Sequence, residues 1–307
     1  MTKRILIAGA TGFIGRPLCF ELAKNGYEVI VLSRRSVGAK EAFSGQLKVA
    51  QWDGISAGEW AELADGTLAI INLAGENIGS GRWTQKKKKR ILQSRLNAGN
   101  ALTEAIQIVE QKPQVLIQAS GVGYYGDRGD ELLDENSFNG TGFLADVARQ
   151  WEQSVCGVRA QGVRVATIRL GVVLGSHGGV ISRLVPPFRF FLGGHPGSGR
   201  QWQAWIHLED VMGAIRFLVE NADCEGPFNV MAPEPILSKN FYNLLGKTIH
   251  HPAVFPIPAL ALKLILGEMA TELLLPSLRV VQKKLLEAGY KFKFPDLSLA
   301  LKDILAR

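Results

Sequence analysis

Apolar residues come along this chain in two alternating rhythms. Short unbroken runs appear at Ile5-Leu6-Ile7-Ala8 and Val29-Ile30-Val31-Leu32, and again at residues 47–52, 68–74, 114–119 and 163–170. Their length and branched side chains suit strands buried on both faces. Between them apolar positions recur at helical spacing. Leu18, Leu22 and Ala23 follow the first run, and longer periodic stretches occupy 83–110 and 141–161. This alternation predicts an α/β fold, a doubly wound parallel sheet with helices on both faces. Right-handed crossovers then gather ligands at the carboxyl ends of the strands.

After residue 170 the rhythm breaks. Gly171, Gly175, Gly178 and Gly179 lead to Pro186-Pro187 and to the glycine-rich stretch 193–199, which reads as an insertion of loops over about 171–206. The chain returns through Trp205-Ile206-His207 into a helix and through Phe228-Asn229-Val230 into a last short strand. From residue 233 the pattern is mainly helical. The expected division is a sheet domain at 1–232, with the insertion contributing to a substrate cleft, and a small mostly helical cap at 233–307.

The first strand-to-helix turn carries the most specific chemistry. Gly9-Ala10-Thr11-Gly12-Phe13-Ile14-Gly15 places three glycines where side chains would block a pyrophosphate. The free N–H groups of the new helix face that space, which makes the fold Rossmann-like. At the end of the second strand an NAD site carries an acid for the ribose 2′-hydroxyl. Here stand Ser33, Arg34 and Arg35, with Glu28 at the wrong end. A guanidinium fork suits a 2′-phosphate, so the expected cofactor is NADP(H).

Composition narrows the picture modestly. The net charge of +7 fits an anionic ligand or simple solubility and does not imply nucleic acid. Part of it is the run Lys86 to Arg90, read as a solvated helix face. Three scattered cysteines give neither a disulfide frame nor a zinc pattern and point to a reducing cytoplasm. The first strand begins by residue 3, so no signal peptide is expected. The apolar segment 253–275 contains prolines and charges and is not a membrane span, so no membrane partner is expected. No His, Asp or Glu cluster has metal-ligand spacing.

The glycine turn, Asn72-Leu73-Ala74-Gly75 and Trp205-Ile206-His207-x-x-Asp210-Val211 together resemble the extended short-chain dehydrogenase/reductases, which include nucleotide-sugar epimerases and dehydratases. Further segments are similar to an atypical subgroup of epimerase-family proteins of unknown substrate. They include Gly123-Tyr124-Tyr125-Gly126, Trp151-Glu152, Arg169 to Gly175, Gly267-Glu268-Met269 and Leu286 to Tyr290. The resemblance implies a small C-terminal domain peculiar to that subgroup. In the wider family a Tyr-x-x-x-Lys pair and a nearby Ser or Thr carry catalysis, the lysine lowering the phenol pKa. None of the five tyrosines here has a lysine four residues on. Aligned on Glu152, the two positions hold Leu144 and Ala148.

The remaining candidates follow from the strand ends. Ser120 could face the nicotinamide or substrate, or cap its strand, and Tyr125 is the favoured proton donor, with an aromatic wedge as its alternative. Leu73, Ala74 and Gly75 would pass beneath the cofactor. Asp53 could bond the adenine amine or form a turn. Arg95 and Arg169 could meet a phosphate or substrate anion, or pair with acids. Arg200, Trp202, Gln203, Trp205 and His207 form the expected substrate loop, with His207 either an acid or an anchor against Asp210. The expected activity is hydride transfer with NADP(H) on a small polar organic substrate. A non-catalytic NADP(H)-binding regulator and a nucleotide-sugar epimerase are the alternatives. The two long helices could pair in a homodimer.

Overall fold

The computed structural model describes residues 3–253 and 255–306. Seven strands form one parallel sheet: β1 (Arg4–Ala8), β2 (Glu28–Ser33), β3 (Lys48–Gln51), β4 (Ala69–Asn72), β5 (Val115–Gly121), β6 (Arg164–Leu170) and, after three short strands, β10 (Gly226–Val230). The short strands are β7 (Val172–Leu174), β8 (Trp202–Gln203) and β9 (Trp205–His207). The sheet order is β10-β6-β5-β4-β1-β2-β3, so the chain reverses direction beside β1 and opens a crevice there. The doubly wound parallel sheet expected from the apolar runs is present.

Alternation along β1 explains the layers. Ile5 and Ile7 pack with Leu18 and Leu22 of α1 (Gly15–Lys24) and with Ile215 and Leu218 further along. Leu6 and Ala8 turn to the other face, against Leu102 and Ile106. Full burial of each such aliphatic contributes about 1.5–3 kcal/mol. The helices in between are α2 (Ser36–Ala42), α3 (Gln85–Ile108), α4 (Phe143–Gln153), α5 (Ile181–Arg189) and α6 (Leu208–Glu220).

Two elements differ from the sequence pattern. The stretch read as one helix over 141–161 ends at Gln153, because Ser154 turns its hydroxyl back onto the Trp151 carbonyl at 2.7 Å; a separate 3₁₀ turn covers Cys156–Gln161. The proline pair that read as a loop lies inside α5. Buried Ile181 and Phe188, seven residues apart and therefore on one helix face, hold it against the core despite the lost N–H groups.

The C-terminal part contains β11 (Ile236–Leu237), α7 (Ser238–Thr248), α8 (Ala259–Leu266), α9 (Glu268–Leu273), α10 (Lys283–Glu287) and α11 (Leu297–Ala306). Strand β11 pairs antiparallel with β8, and Leu245 and Leu301 share a core with Leu174, Ile181 and Trp205. The cap and the 171–206 insertion therefore pack as one layer over the sheet's carboxyl edge. No helix among the described residues is long and apolar enough to cross a membrane.

Candidate active site

The β1–α1 turn is built so that two of its glycines satisfy the fold and the third is far less crowded. A Cβ at Gly9, whose φ is +81°, would lie 2.5 Å from the Leu73 carbonyl carbon, and one at Gly15 would lie 2.3 Å from the Gly9 oxygen. Gly12 would meet only that same oxygen, at 3.2 Å. Helix α1 starts beyond Ile14 with no side-chain cap and no acid in its first turn. Arg16 N–H is taken by Gly12 O at 3.0 Å and Pro17 has none, so the Gly15 N–H and the helix dipole make the positive end beside exposed Thr11 and Gly12. Phe13 turns aside: a Cβ at Gly175, Gly178 or Gly179 would stand 2.8–3.2 Å from its ring, so the ring fills a glycine-lined bend.

Arg34 and Arg35 are exposed at the end of β2, which carries no acid of its own; Glu76, held below the usual carboxylate value first by Lys87, also feels the Arg34 charge. The Arg34 stem lies along Gly54, whose φ of +79° leaves no room for a side chain without strain. Ser33 Oγ is 3.2 Å from the Arg35 N–H and holds this corner. Asp53 is exposed, and its carboxylate accepts from Ile55 N and Ser56 N at 2.7 and 2.9 Å and from the Ser56 hydroxyl, the bonds of a turn. Those bonds, led by Ser56's, hold its pKa below the usual carboxylate value. The turn expected of Asp53 is present.

Beyond β4, Asn72 Oδ1 accepts from Ala74 N at 3.1 Å, and Leu73 N donates to Ala8 O at 2.9 Å, which fixes Leu73-Ala74-Gly75 across the crevice. Arg95 does not reach outward as a free cation. Its guanidinium lies 4.7 Å from the Trp151 ring and donates to the Glu76 and Ile91 carbonyls. Burial lowers its pKa to about 10. The charge run on α3 is not wholly solvated either. Buried Lys87 reaches Glu76 at 2.6 Å and Ser80 at 3.1 Å, pinning the loop after β4.

A row of polar side chains follows from strand register. Ser120 of β5 pairs with Arg169 of β6, which pairs with Asn229 of β10. Glu152, in the last turn of α4, takes the Arg169 guanidinium at 2.9 Å through both oxygens and accepts the Ser120 hydroxyl proton at 2.7 Å. Burial disfavours the Arg169 charge, but Glu152 more than reverses this and its pKa is raised. Arg169 is therefore a core ion pair and not a cofactor anchor. Tyr125, expected to project into the cleft, is fully buried. Its hydroxyl donates to Asn229 Oδ1 at 2.7 Å and accepts from Arg169 at 3.0 Å, and burial pushes its pKa up to about 12. A phenol so committed cannot serve the cleft.

The expected substrate loop does not converge. Trp205 is buried in the core, and His207 caps α6, accepting from Glu209 N at 3.1 Å with its ring 3.9 Å from Phe294. Burial lowers the His207 pKa. Asp210 does not meet His207; it accepts from Tyr290 and from the Lys293 and Phe294 N–H groups. Trp202 bonds Asp130 at 2.8 Å, Gln203 bonds Ser238, and only Arg200 is exposed. Among the described residues no three His, Cys, Asp or Glu side chains are placed to hold a metal ion.

Residues 5–230 match the NAD dependent epimerase/dehydratase family, and 257–304 match a domain of unknown function, DUF1731. The chain belongs to the NAD dependent epimerase/dehydratase family. It is similar to the Bacillus subtilis epimerase family protein YfhF, 38% identical with 98% of each chain covered. It is 37% identical to the Arabidopsis thaliana epimerase family protein SDR39U1 homolog, chloroplastic, over 98% of this chain and 86% of that one. The human epimerase family protein SDR39U1, solved with NADPH, superposes with a TM-score of 0.90 at 31% identity, each chain covered to 99%. The motif-based resemblance to epimerase-family proteins with a C-terminal domain is thereby established. None of the carboxylates Glu76, Glu152 and Glu135 is expected as a site residue from the sequence; Glu135 is buried and accepts from Asn229 N at 3.1 Å beside the same polar row. Glu76 and Glu152 lie within segments that carry the family resemblance, Asn72–Ile78 and Trp151-Glu152, whereas Glu135 has no such signal.

Proposed function

We propose that the protein is an NADP(H)-dependent oxidoreductase of the atypical extended short-chain type, acting on a small polar organic substrate. The observation that carries this reading is the pairing of an uncapped, acid-free helix N-terminus over Gly12 with exposed Arg34 and Arg35 at the acid-free end of β2. The space above Gly12 and the donor set fit a dinucleotide bearing a 2′-phosphate. Gly9, Thr11, Gly12, Phe13, Ile14 and Gly15 would form or support the pyrophosphate turn. Ser33, Arg34 and Arg35 would hold the 2′-phosphate, and Leu73, Ala74 and Gly75 would line the floor. The human relative's NADPH supports the same assignment. When bound, the nicotinamide supplies or accepts hydride.

The chain's own contribution at the chemistry is Ser120. With its proton given to Glu152 at 2.7 Å, its oxygen is left as an acceptor. It suits a substrate hydroxyl or N–H donor, and Glu152, clamped by Arg169, positions it. Residence in the cytoplasm and two-fold pairing through α3 and α4 belong to the same reading.

Fluorescence titration tests it. Wild-type protein should prefer NADPH to NADH, and Arg34→Ala should weaken NADPH about tenfold or more, the worth of a charge-assisted contact, leaving NADH unchanged. Equal affinity for both nucleotides in the wild type overturns the cofactor assignment. A second reading, a non-catalytic NADP(H)-binding regulator, is favoured by Leu144 and Ala148 on α4, where the family's tyrosine and lysine are expected. Absence of NADPH oxidation across a panel of carbonyls and enones, with binding intact, would select it.

A further inference from the structure

The cap carries an apolar face that the site does not use. Phe190, Phe191 and Leu192 follow the last turn of α5, and Phe255, Leu264 and Ile265 come from the segment around α8. All six are between 61 and 75% exposed. The two segments are neighbours: the Phe191 ring lies 4.8 Å from the His251 ring, and Pro196 is bridged to Ile257. Phe191 also holds a φ of 57°, a conformation that costs a bulky residue and here keeps three consecutive apolar side chains outside.

Charge supplies the second, independent observation. Residues 153–208 and 235–267 contain no Asp or Glu at all. Arg189 adjoins Phe190, Lys263 lies within α8 beside Leu264, and Lys247 ends α7 close to His251. All three are exposed, and none has an ion-pair partner among the described residues.

We propose that this face docks the protein peripherally on a bilayer bearing anionic headgroups. The aromatic and leucine side chains enter the boundary with the acyl chains, and the cations meet lipid phosphates. Helix α8, eight residues and about 12 Å long at 1.5 Å per residue, can lie in that interface but cannot cross it. A second copy of the chain fits the face less well. Two-fold pairing sets the same patch on both sides of the contact, so the cations Arg189, Lys247 and Lys263 of each copy would face an equally cationic surface with no carboxylate in either segment to offset them.

Co-sedimentation of the full chain with vesicles tests this. Binding to phosphatidylcholine vesicles containing phosphatidylglycerol should exceed binding to phosphatidylcholine alone by about tenfold or more, and should fall as salt rises. Phe190→Ser/Phe191→Ser/Leu192→Ser should abolish it. Arg189→Ala/Lys263→Ala, which leaves every apolar residue in place, should weaken it by roughly tenfold. No binding to the anionic vesicles, equal binding to both kinds, or undiminished binding by both variants overturns the proposal. Light scattering that instead finds a dimer split by the serine variant, with no vesicle binding, assigns the face to contact between copies and likewise overturns it.

Discussion

Arg169 sits where losing one partner is most costly. It is 4% exposed, and both of its contacts with Glu152 are 2.9 Å. Glu152→Ala strands a buried guanidinium and should cost about 3–5 kcal/mol in urea unfolding, whereas adding Arg169→Met should recover much of the loss. Tyr125→Phe removes one hydroxyl from the same row and should cost about 1–2 kcal/mol while leaving NADPH affinity and any turnover intact. His207 gives a pH signature. Its folded pKa is lowered by burial, against the opposing pull of Asp303, Glu209 and Asp210. The unfolded state therefore takes up the proton first. Stability should hold above the ordinary imidazole value near 6.5 and fall as pH drops from there to the folded pKa. Urea midpoints at several pH values, flatter in His207→Asn, check this. Single residues were the least legible level of the sequence. Arg169 and Tyr125 stand at the right strand ends for a ligand, but which way each faces depends on Glu152 and Asn229, 17 and 104 residues away. Lys87 looks like one cation in a solvated run until the β4 loop brings Glu76 to it.

At the scale of elements, the β1–α1 turn separates fold from binding. Gly9→Ala and Gly15→Ala drive a methyl into backbone at 2.5 and 2.3 Å and should unfold the turn. Gly12→Ala meets one backbone oxygen at 3.2 Å, a tight but far milder contact, and should cost much less stability than either while sharply reducing NADPH affinity. Equal loss of stability in all three variants would show that Gly12 serves packing alone. The strands and α3 were legible because their apolar period is set by burial on a known geometry, whereas the end of α4 at Gln153 was not. Helix α5 was hidden because Pro186 and Pro187 carry a strong local signal for a loop, and the burial of Ile181 and Phe188 that overrides it is a tertiary effect.

For the molecule as a whole, a ligand that binds only the folded chain must stabilise it. NADPH at about 100 times its Kd should add about 2.7 kcal/mol to unfolding, and NADH at the same concentration should add less; thermal melts with and without nucleotide measure the difference. The doubly wound parallel sheet could be read from alternation alone, but its order, β10-β6-β5-β4-β1-β2-β3, could not. The layer formed by the cap and the insertion could not, because it rests on pairings such as β8 with β11 that no local rhythm announces.

Phe13 joins two regions that the chain keeps far apart. One benzene ring belongs to the loop read as the nucleotide turn and at the same time fills the bend formed by Gly175, Gly178 and Gly179. Any molecule whose hold on one of these regions shifts that ring must alter affinity at the other, and linkage makes the effect equal in both directions. A methyl added at Gly179, more than 160 positions along the polypeptide from the ring it would strike, is then a handle on the dinucleotide from outside its pocket.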